Sequence, residues 1–326
     1  MSYTEYRAVL CQWSDALSSR IRPHALEFLW QFPLSQKAVV ALVALILFRR
    51  VNRALTNYSL NNWSRSREWD NKNELVLITG GCSGIGKQIA VGLARKGVRV
   101  VVLDIQEPVF TLGENIAFYR ADVTSSESIR AVAKKIRTTH GDPTVLLNNA
   151  GVGNEGTILG KSEARIRQTF EINTISHFLL VQEFLPAMVT QNHGHIVTIA
   201  SMASFVSLGE MVDYSCSKAS ALAFHEGLSQ ELSMWYNAPS VRTSIIHPSW
   251  VRTPMINTLT SAGDKFTQPI LTPVEVADAI ILPSYQLPMS FLRALPLWIQ
   301  RGVGGLAARS LKTVTDWHRG AAEGAN

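Results

Sequence analysis

A tyrosine and a lysine stand four positions apart in the stretch YSCSKASALAFHEGL, which runs from Tyr214 to Leu228. If this apolar-periodic stretch is a helix, the two side chains share one face. A phenol has an ordinary pKa near 10, and each unit of lowering takes about 1.4 kcal/mol of preferential stabilisation of the phenolate. A neighbouring ammonium group and a positively charged bound ring can together supply stabilisation of this kind in a dry cleft. The spacing therefore predicts a tyrosine that exchanges a proton, although the same spacing also occurs by chance on solvated helix faces.

A glycine-rich stretch, TGGCSGIG from Thr79 to Gly86, follows an apolar run and precedes a helical pattern. Its glycines let the backbone turn tightly and approach a pyrophosphate, which N–H groups at the helix N-terminus then hold. Eighteen residues after Gly86, Asp104 ends the next apolar run, where a carboxylate can accept hydrogen bonds from a ribose diol. That carboxylate would repel a 2′-phosphate. NAD is therefore favoured over NADP. Because this preference depends on Asp104 alone, NADP is not excluded.

Short β-rich runs alternate with helical patterns from Glu74 onward, which indicates a parallel sheet covered by helices on both faces. One helical pattern ends at Gly97, and another begins with a serine cap and ends at Gly141. The predicted strands are LVLITG, VRVVVLD, IAFYRAD, TVLLNNAG, GHIVTIAS and VRTSIIHP. The predicted fold class is α/β, a doubly wound parallel sheet without internal repeats.

Four motifs follow one another in order: TGGCSGIG, NNAG at Asn148 to Gly151, IVTIAS ending at Ser201, and YSCSK. Together they resemble the short-chain dehydrogenase/reductase family, in its single-domain branch, over about Leu75 to Met255. The chain is similar to membrane-associated members of the retinol and 17-beta-hydroxysteroid dehydrogenase type and to their fungal relatives. The resemblance implies a Rossmann fold and hydride transfer between NAD(P) and a CH–OH group.

The resemblance also implies a proton relay of four residues. Tyr214 would be the general acid/base, and Lys218 would lower its pKa and hold the nicotinamide ribose. Ser201 would hydrogen-bond the substrate oxygen, because it lies thirteen residues before Tyr214, the family's usual separation, whereas Ser204 lies ten before it. Asn173, in FEINTISHF, matches the asparagine that kinks a long helix and positions a relay water; an ordinary buried helix asparagine is the alternative.

The family pattern further assigns Asp122 to the adenine amino group, Asn149 to the cofactor cleft, and Val251 with Thr253 to the nicotinamide carboxamide. Ser249 departs from that pattern, because the family usually has glycine after the proline of this loop. The predicted cofactor residues are Gly80, Ser83, Gly84, Ile85, Gly86, Asp104, Asp122, Val123, Asn149, Ala150, Gly151, Tyr214, Lys218, Val251 and Thr253.

Composition and charge limit the classes of protein to which the chain can belong. The 326 residues are 46% hydrophobic and 17% charged, which fits a folded protein better than a disordered one. The net charge is +6, but the basic residues are scattered outside a cluster between Phe48 and Arg67, so no nucleic-acid partner is expected. Three distant cysteines and isolated histidines, among them His225 and His247, predict neither a disulfide framework nor a metal site. Cys82, within the glycine loop, is expected only to fill space.

The stretch Ala38 to Phe48 has eleven consecutive apolar residues, which as a helix would span only ~16 Å of a hydrocarbon core about 30 Å thick. An anchor over about residues 31–50 is predicted, as a shallow insertion or a tilted span, with a buried core helix as the alternative. Arginines at positions 49, 50 and 53 follow the run, which predicts that the downstream chain faces the cytosol, at the endoplasmic reticulum or a lipid droplet. The sequons at Asn57 and Asn62 would be used only in a lumenal orientation.

These patterns predict three regions: an N-terminal extension at 1–72, a dehydrogenase domain at 73–288 and an amphipathic tail at 289–326. The connection between Trp250 and Pro273 is long enough to be a mobile lid over a hydrophobic substrate. The tail interleaves apolar and arginine residues, as an interfacial helix would, with core packing as the alternative. A homodimer through the long helices is a further expectation from the family.

The leading hypothesis is an oxidoreductase that acts on a lipophilic alcohol or carbonyl compound, which would be a steroid, a retinoid, a long-chain compound or a polyketide-like compound. The first alternative is a membrane-surface scaffold that binds a nucleotide without turnover. A weaker alternative is a nucleotide-sugar epimerase or dehydratase, since related enzymes share the tyrosine and lysine spacing.

Overall fold

A computed structural model of the chain describes residues 33–60, 69–261 and 266–281. Its contacts divide the chain into two units, Met1–Trp63 and Ser64–Asn326. The predicted tail at 289–326 lies outside the described residues, and the predicted region boundaries at 72 and 288 stay predictions.

Six parallel strands form the central sheet: β1 (Leu75–Thr79), β2 (Arg99–Asp104), β3 (Ile116–Arg120), β4 (Val145–Asn148), β5 (Gly194–Ile199) and β6 (Val241–Ile246). Their order in the sheet is β3-β2-β1-β4-β5-β6. The order reverses beside β1, which is where a doubly wound sheet leaves a crevice for a ligand. All six strands predicted from the sequence are present, and the α/β fold is confirmed.

Helices cover both faces of the sheet, as the near-continuous apolar runs of the strands require. They are α2 (Gly84–Arg95), α3 (Ser126–His140), α4 (Glu163–Phe170), α5 (Ser176–Gln191), α6 (Val212–Met234), α7 (Asn257–Thr260) and α8 (Pro273–Ile281). The predicted ends of α2 and α3 are confirmed: Gly97 and Gly141 have φ of +79° and +91°, and the Ser125 side chain accepts a bond from Ser128 N. Two short strands, β7 (Trp250–Val251) and β8 (Ile270–Leu271), pair with each other.

Two buried clusters sandwich the sheet. Leu77, Leu146 and Phe184 belong to the cluster beneath α3, α5 and α6, and Ile78, Val102 and Ile89 belong to the cluster beneath α2 and α8. Because alternate residues of a strand point to opposite faces, each strand supplies both clusters and its carboxyl end is held rigidly in place.

The N-terminal unit contains one described helix, α1 (Pro33–Leu60), which includes most of the predicted anchor. The side chains of Leu42, Val43, Ile46 and Leu47 are exposed on it. The predicted anchor and its core-helix alternative both stay predictions. None of the helices in the described ranges is both long and apolar enough to cross a membrane.

Candidate active site

The predicted site residues come from separate stretches of sequence, and the parallel sheet brings them to one edge. The glycine loop follows β1, Asp104 ends β2, Asn149 follows β4 and Ser201 follows β5. Because parallel strands all end at the same edge, these groups surround the crevice beside β1.

The glycine loop has no room for side chains at two of its glycines. A Cβ on Gly86 would lie 2.4 Å from the carbonyl oxygen of Gly80, and a Cβ on Gly80 would lie 2.9 Å from Ala150 Cα. Gly80 also has φ of +64°, which favours glycine. Ser83 is the N-cap of α2, but its hydroxyl does not cap the helix. This cradle of backbone fits a pyrophosphate at the start of α2.

Asn149 braces the glycine loop. Its Nδ2 donates to the carbonyls of Thr79 at 2.9 Å and Gly80 at 3.0 Å, and its backbone N–H donates to the Thr79 hydroxyl. The residue therefore acts on the cofactor cleft by fixing the shape of the loop. On the other side of the loop, a Cβ on Gly84 would lie 3.1 Å from the Thr253 methyl group, so the predicted carboxamide loop reaches the same cleft.

Asp104 is held in place by two backbone bonds. One carboxylate oxygen accepts from Cys82 N at 3.0 Å and the other accepts from Gln106 N at 3.0 Å. These bonds place a fixed negative charge beside the glycine loop. Burial, followed by the Asp104 charge, raises the pKa of the Cys82 thiol to about 12, which keeps it protonated and agrees with a space-filling role.

The residues predicted at the adenine end have local partners. Asp122 is exposed, and its Oδ1 accepts from the backbone N–H and the hydroxyl of Thr124. The Val123 side chain is buried in one of the two core clusters. Ile85 packs against the other core cluster from the first turn of α2.

Tyr214 and Lys218 lie one turn apart on α6, as the spacing predicts. The Lys218 Nζ lies 5.8 Å from the centre of the Tyr214 ring and donates to the carbonyl of Ile199 at 2.9 Å. Burial lowers the pKa of Lys218 to about 8. Gly151 stands between the relay residues, because a Cβ there would lie 3.5 Å from Lys218 Nζ and 3.4 Å from Asn173 Oδ1.

The expected lowering of the tyrosine pKa is not a property of the protein alone. Burial raises the pKa of Tyr214 above its ordinary value, and the hydrogen bond with Ser201 opposes that rise. The ammonium of Lys218 is turned toward the Ile199 carbonyl, and its distance from the phenol ring leaves desolvation as the dominant effect. The expected lowering of the tyrosine pKa by the lysine together with a bound positive ring stays a prediction.

Ser201, rather than Ser204, contacts the phenol. The Ser201 hydroxyl shares a hydrogen bond with Tyr214 and accepts from Ala203 N at 3.1 Å. Ser204 is buried and donates to the Lys218 carbonyl at 2.8 Å, which anchors α6. His247, for which the sequence indicates no role, lies with Nδ1 3.0 Å from the Ser201 carbonyl.

Asn173 is the middle residue of a π-helical turn, Glu171–Ile175, between α4 and α5. Its amide exchanges two bonds of 2.8 Å with the backbone of Val152 and donates to the Ser217 hydroxyl at 3.0 Å. The side chain thus joins the helix irregularity to the chain after β4 and to α6. The water-positioning role stays a prediction.

The described part of the predicted lid packs as a small apolar cluster. Met211, Ile256, Leu259 and Phe266 form its buried centre, and Tyr214 and Trp250 lie at its margin. The rings of Trp250 and Phe266 meet edge to face with centres 5.2 Å apart. The phenol therefore has an apolar wall on one side. Residues 262–265 of the connection lie outside the described part of the chain.

Sequence reasoning missed a group around the start of α6. Lys161, Asp213 and Thr169 form a buried polar network one residue before Tyr214, and Gly153 lies against the Tyr214 ring. Lys161 and Asp213 are 52 positions apart, so no local pattern links them. Across the described ranges, no three His, Cys, Asp or Glu side chains are grouped so that they could hold a metal ion.

Comparisons with known proteins agree with this geometry. The profile of the family described as short chain dehydrogenase matches residues 74–263. Dehydrogenase RED2 from Cochliobolus heterostrophus is 41% identical over 194 residues, which cover 59% of this chain and 73% of that protein. Dehydrogenase RED3 from Cochliobolus heterostrophus is 53% identical over 131 residues, which cover 40% of this chain and 67% of that protein. Estradiol 17-beta-dehydrogenase 11 from Homo sapiens is 36% identical over 217 residues, which cover 64% and 70%.

Solved structures share the fold. The ligand-free aldohexose dehydrogenase of Thermoplasma acidophilum superposes with a TM-score of 0.57 at 24% identity, over 65% of this chain and 87% of that chain. A short-chain type dehydrogenase/reductase from Mycobacterium marinum gives 0.59 at 23% identity, over 65% and 88%. At these identities the likeness supports the fold alone.

Proposed function

Because the chain belongs to the short-chain dehydrogenase family, we propose that it interconverts a lipophilic alcohol and its carbonyl compound with NAD as hydride carrier. The relatives named as dehydrogenases make the chain an oxidoreductase that acts on CH–OH groups. The observation that carries the proposal is the placement of Tyr214 and Lys218 one turn apart on α6, with the Lys218 Nζ 5.8 Å from the Tyr214 ring centre, beside the glycine cradle. The interaction of Ser201 with Tyr214, which opposes the rise of the phenol pKa, supports it.

In the proposed reaction, the Ser201 hydroxyl holds the substrate oxygen while the Tyr214 phenol exchanges a proton with it. A bound nicotinamide supplies the site that accepts or donates the hydride. Lys218 is held between the Ile199 carbonyl and Gly151, which leaves the remaining N–H bonds of its ammonium group for a ribose hydroxyl. Because burial alone raises the pKa of Tyr214, we infer that the cation of the oxidised cofactor completes the stabilisation of the phenolate.

Asp104 supports NAD as the preferred carrier. Its two backbone bonds leave lone pairs on both carboxylate oxygens, which can accept hydrogen bonds from the two hydroxyls of a ribose. A 2′-phosphate at the same position would face a fixed like charge. The ammonium group of Lys87, in the first turn of α2, lies over the Phe110 ring, with its Nζ 4.9 Å from the ring centre.

Two observations support a lipophilic substrate. The apolar cluster of Met211, Ile256 and Phe266 borders Tyr214, so a substrate that reaches the phenol passes an apolar wall. The name of one relative specifies estradiol as that protein's substrate. Steroid, retinoid and long-chain secondary alcohols are therefore the substrate classes that we propose.

We further propose that the enzyme works at a cytosolic membrane surface, at the endoplasmic reticulum or a lipid droplet. The exposed apolar side chains of α1 and the arginines at 49 and 50 support contact with a lipid surface. A homodimer through the long helices is proposed as well, because Ile175 and Phe178 are exposed where α5 begins.

The test combines a substrate panel with one substitution. The full chain is incubated with NAD or NADP and with estradiol, retinol and 2-dodecanol, and formation of the reduced cofactor is followed. Tyr214→Phe should lower kcat by at least about a thousandfold while NADH affinity changes less than about threefold, because only the hydroxyl is removed. Retained activity in Tyr214→Phe would remove the acid/base, and NADH binding without turnover of any lipophilic alcohol by the wild type would favour the scaffold.

A further inference from the structure

A buried ion pair lies next to the proposed acid/base. Lys161 Nζ lies 2.6 Å from Asp213 Oδ1, and only 5% and 8% of the two side chains are exposed. Asp213 directly precedes Tyr214 in α6, whereas Lys161 belongs to the chain between β4 and α4. Removing two charges from water is costly, so such a pair persists only where further bonds satisfy both partners.

Both partners have those further bonds. Lys161 Nζ also donates to the Asn154 carbonyl at 2.7 Å, and the second oxygen of Asp213 lies 3.0 Å from the Thr169 hydroxyl of α4. The network therefore ties together three parts of the protein: the segment 152–161, helix α4 and the first turn of α6.

The segment 152–161 forms one side of the tyrosine's surroundings. Gly153 is so close to the Tyr214 ring that a Cβ there would lie 3.2 Å from Cδ2 and 3.4 Å from Cε2. The Gly156 N–H donates to the Glu210 carbonyl at 2.9 Å, which adds a second tie between the segment and the approach to α6. A shift of Lys161 would consequently move the wall against which the phenol ring rests.

Charge gives the pair a second effect on Tyr214. The charged and titratable groups around the phenol are Lys218 on α6, His247 behind Ser201, and the Lys161 and Asp213 pair. Neither partner is among the causes of the Tyr214 pKa shift while the pair is intact, but removal of one partner would leave the other as an unpaired buried charge next to Tyr214 in sequence. An unpaired carboxylate would disfavour the phenolate, and an unpaired ammonium would favour it.

We propose that Lys161 and Asp213 are positioning residues for the dehydrogenase reaction: they hold the segment 152–161 against the Tyr214 ring and keep the charge beside the phenol balanced. The inference rests on the proposed role of Tyr214 as acid/base. Lys161 and Asp213 would act in addition to the four-residue relay, and they would touch neither the substrate nor the cofactor.

The test is the pH dependence of kcat/KM for oxidation of estradiol and 2-dodecanol by NAD, measured on the full chain. Because the phenolate accepts the proton in this direction, the rate rises through the ionisation of Tyr214. Lys161→Met leaves the carboxylate and should move the midpoint up by about one pH unit, whereas Asp213→Asn leaves the ammonium and should move it down. The double variant should return near the wild-type midpoint.

The exposed pair of Arg167 and Glu163 on α4 is the matched control. Its side chains are 74% and 77% exposed at a distance of 2.7 Å, so Arg167→Met should leave the midpoint unchanged. NADH binding and thermal unfolding report whether each variant is folded. If Lys161→Met does not fold, the nearly isosteric Asp213→Asn and the double variant still test the sign of the effect.

Single variants whose midpoints coincide with the wild type, or move in the same direction, would overturn the inference. A purely structural role would lower stability without opposite shifts of the midpoint. Tyr214→Phe is measured in parallel: if it stays active, or if the wild type oxidises neither alcohol, the proposed function fails first. If it is inactive and the midpoints do not move, only the positioning role fails.

Discussion

The buried ammonium group of Lys218 lowers the stability of the fold, whereas the proposed reaction requires it. The side chain is 3% exposed, and burial lowers its pKa to about 8 from an ordinary 10.5. A difference of this size corresponds to roughly 3 kcal/mol of folding free energy that the ammonium group costs at neutral pH. A residue kept at such a cost is typical of a functional site.

Lys218→Met should therefore unfold at a higher temperature than the wild type at pH 7, although it loses activity. The lost bond to the Ile199 carbonyl costs about 1 kcal/mol, which leaves a net gain of about 2 kcal/mol. Below pH 8 both the folded and the unfolded wild type carry the proton, so the burial cost is fully present. Between pH 8 and 10.5 the folded chain gives up the proton first, and the wild type gains stability relative to the variant.

Urea unfolding of both proteins without cofactor at pH 7 and at pH 10.5 measures this difference. The gap should close at the higher pH and reverse by up to about 1 kcal/mol, because the folded state then holds a neutral amine, so the burial cost is gone and the lost bond to the Ile199 carbonyl remains. A variant that is less stable at both pH values would mean that Lys218 is a net stabiliser of the fold.

The glycine loop, our proposed phosphate-binding element, depends on backbone space rather than on side chains. Gly86 is the third residue of α2. A Cβ at this position would lie 2.4 Å from the Gly80 carbonyl oxygen and 2.5 Å from Asn149 Nδ2, so it would overlap both atoms. Neither neighbour is the free end of a flexible chain, because Asn149 is fixed by two bonds of its own. A methyl group must therefore displace the loop itself.

Gly86→Ala should weaken NADH binding by at least about tenfold and lower the free energy of unfolding by about 1–3 kcal/mol. Gly113→Ala is the control, because a Cβ there meets nothing within 4 Å and the residue has no positive φ. Fluorescence titration with NADH and thermal unfolding give the two quantities. Equal NADH affinity in the two variants would mean that the loop tolerates a side chain at this position.

At the same scale, the sequence predicted elements better than it predicted what joins them. Some signals are local in sequence: the strand patterns, the glycine loop and the caps at Ser125 and Gly141. The structure has strands, a loop and helix ends at the positions that these signals predict. The partners of the glycine loop, such as Asn149 Nδ2, come from residues about 70 positions away. Such partners depend on the strand order, which a single sequence does not encode locally.

The same limit explains the two outcomes at the tyrosine. The spacing of Tyr214 and Lys218 correctly predicted a shared helix face, because an i and i+4 relation is fixed by helix geometry. The rise of the Tyr214 pKa in the protein without cofactor could not be predicted from the spacing, because desolvation depends on everything packed around the phenol. Burial is a sum over distant contacts, and composition does not reveal it.

At the scale of the whole molecule, the proposed lipophilic substrate would reach the dehydrogenase domain from a lipid surface, which helix α1 would contact. Helix α1 offers exposed Leu42, Val43 and Ile46 followed by Arg49 and Arg50, and the described helices include none that could cross a membrane. Apolar side chains insert into the interface while nearby arginines attract anionic headgroups, at about 1 kcal/mol for each basic residue. The two effects can be separated, because only the second is weakened by salt.

The combined variant Leu42→Ser, Val43→Ser and Ile46→Ser should lose at least about tenfold in binding to vesicles of phosphatidylcholine and phosphatidylserine, measured by flotation of the full chain. Arg49→Gln with Arg50→Gln should weaken binding to anionic vesicles only. Met234→Ser is the control, because Met234 is 73% exposed at the last residue of α6 and belongs to the dehydrogenase unit. Oxidation of a water-soluble alcohol should be the same in every variant, since these residues are remote in sequence from the relay. If the triple variant floats as well as the wild type, the chain reaches its substrate by a route other than α1, and the membrane proposal fails while the dehydrogenase assignment stands.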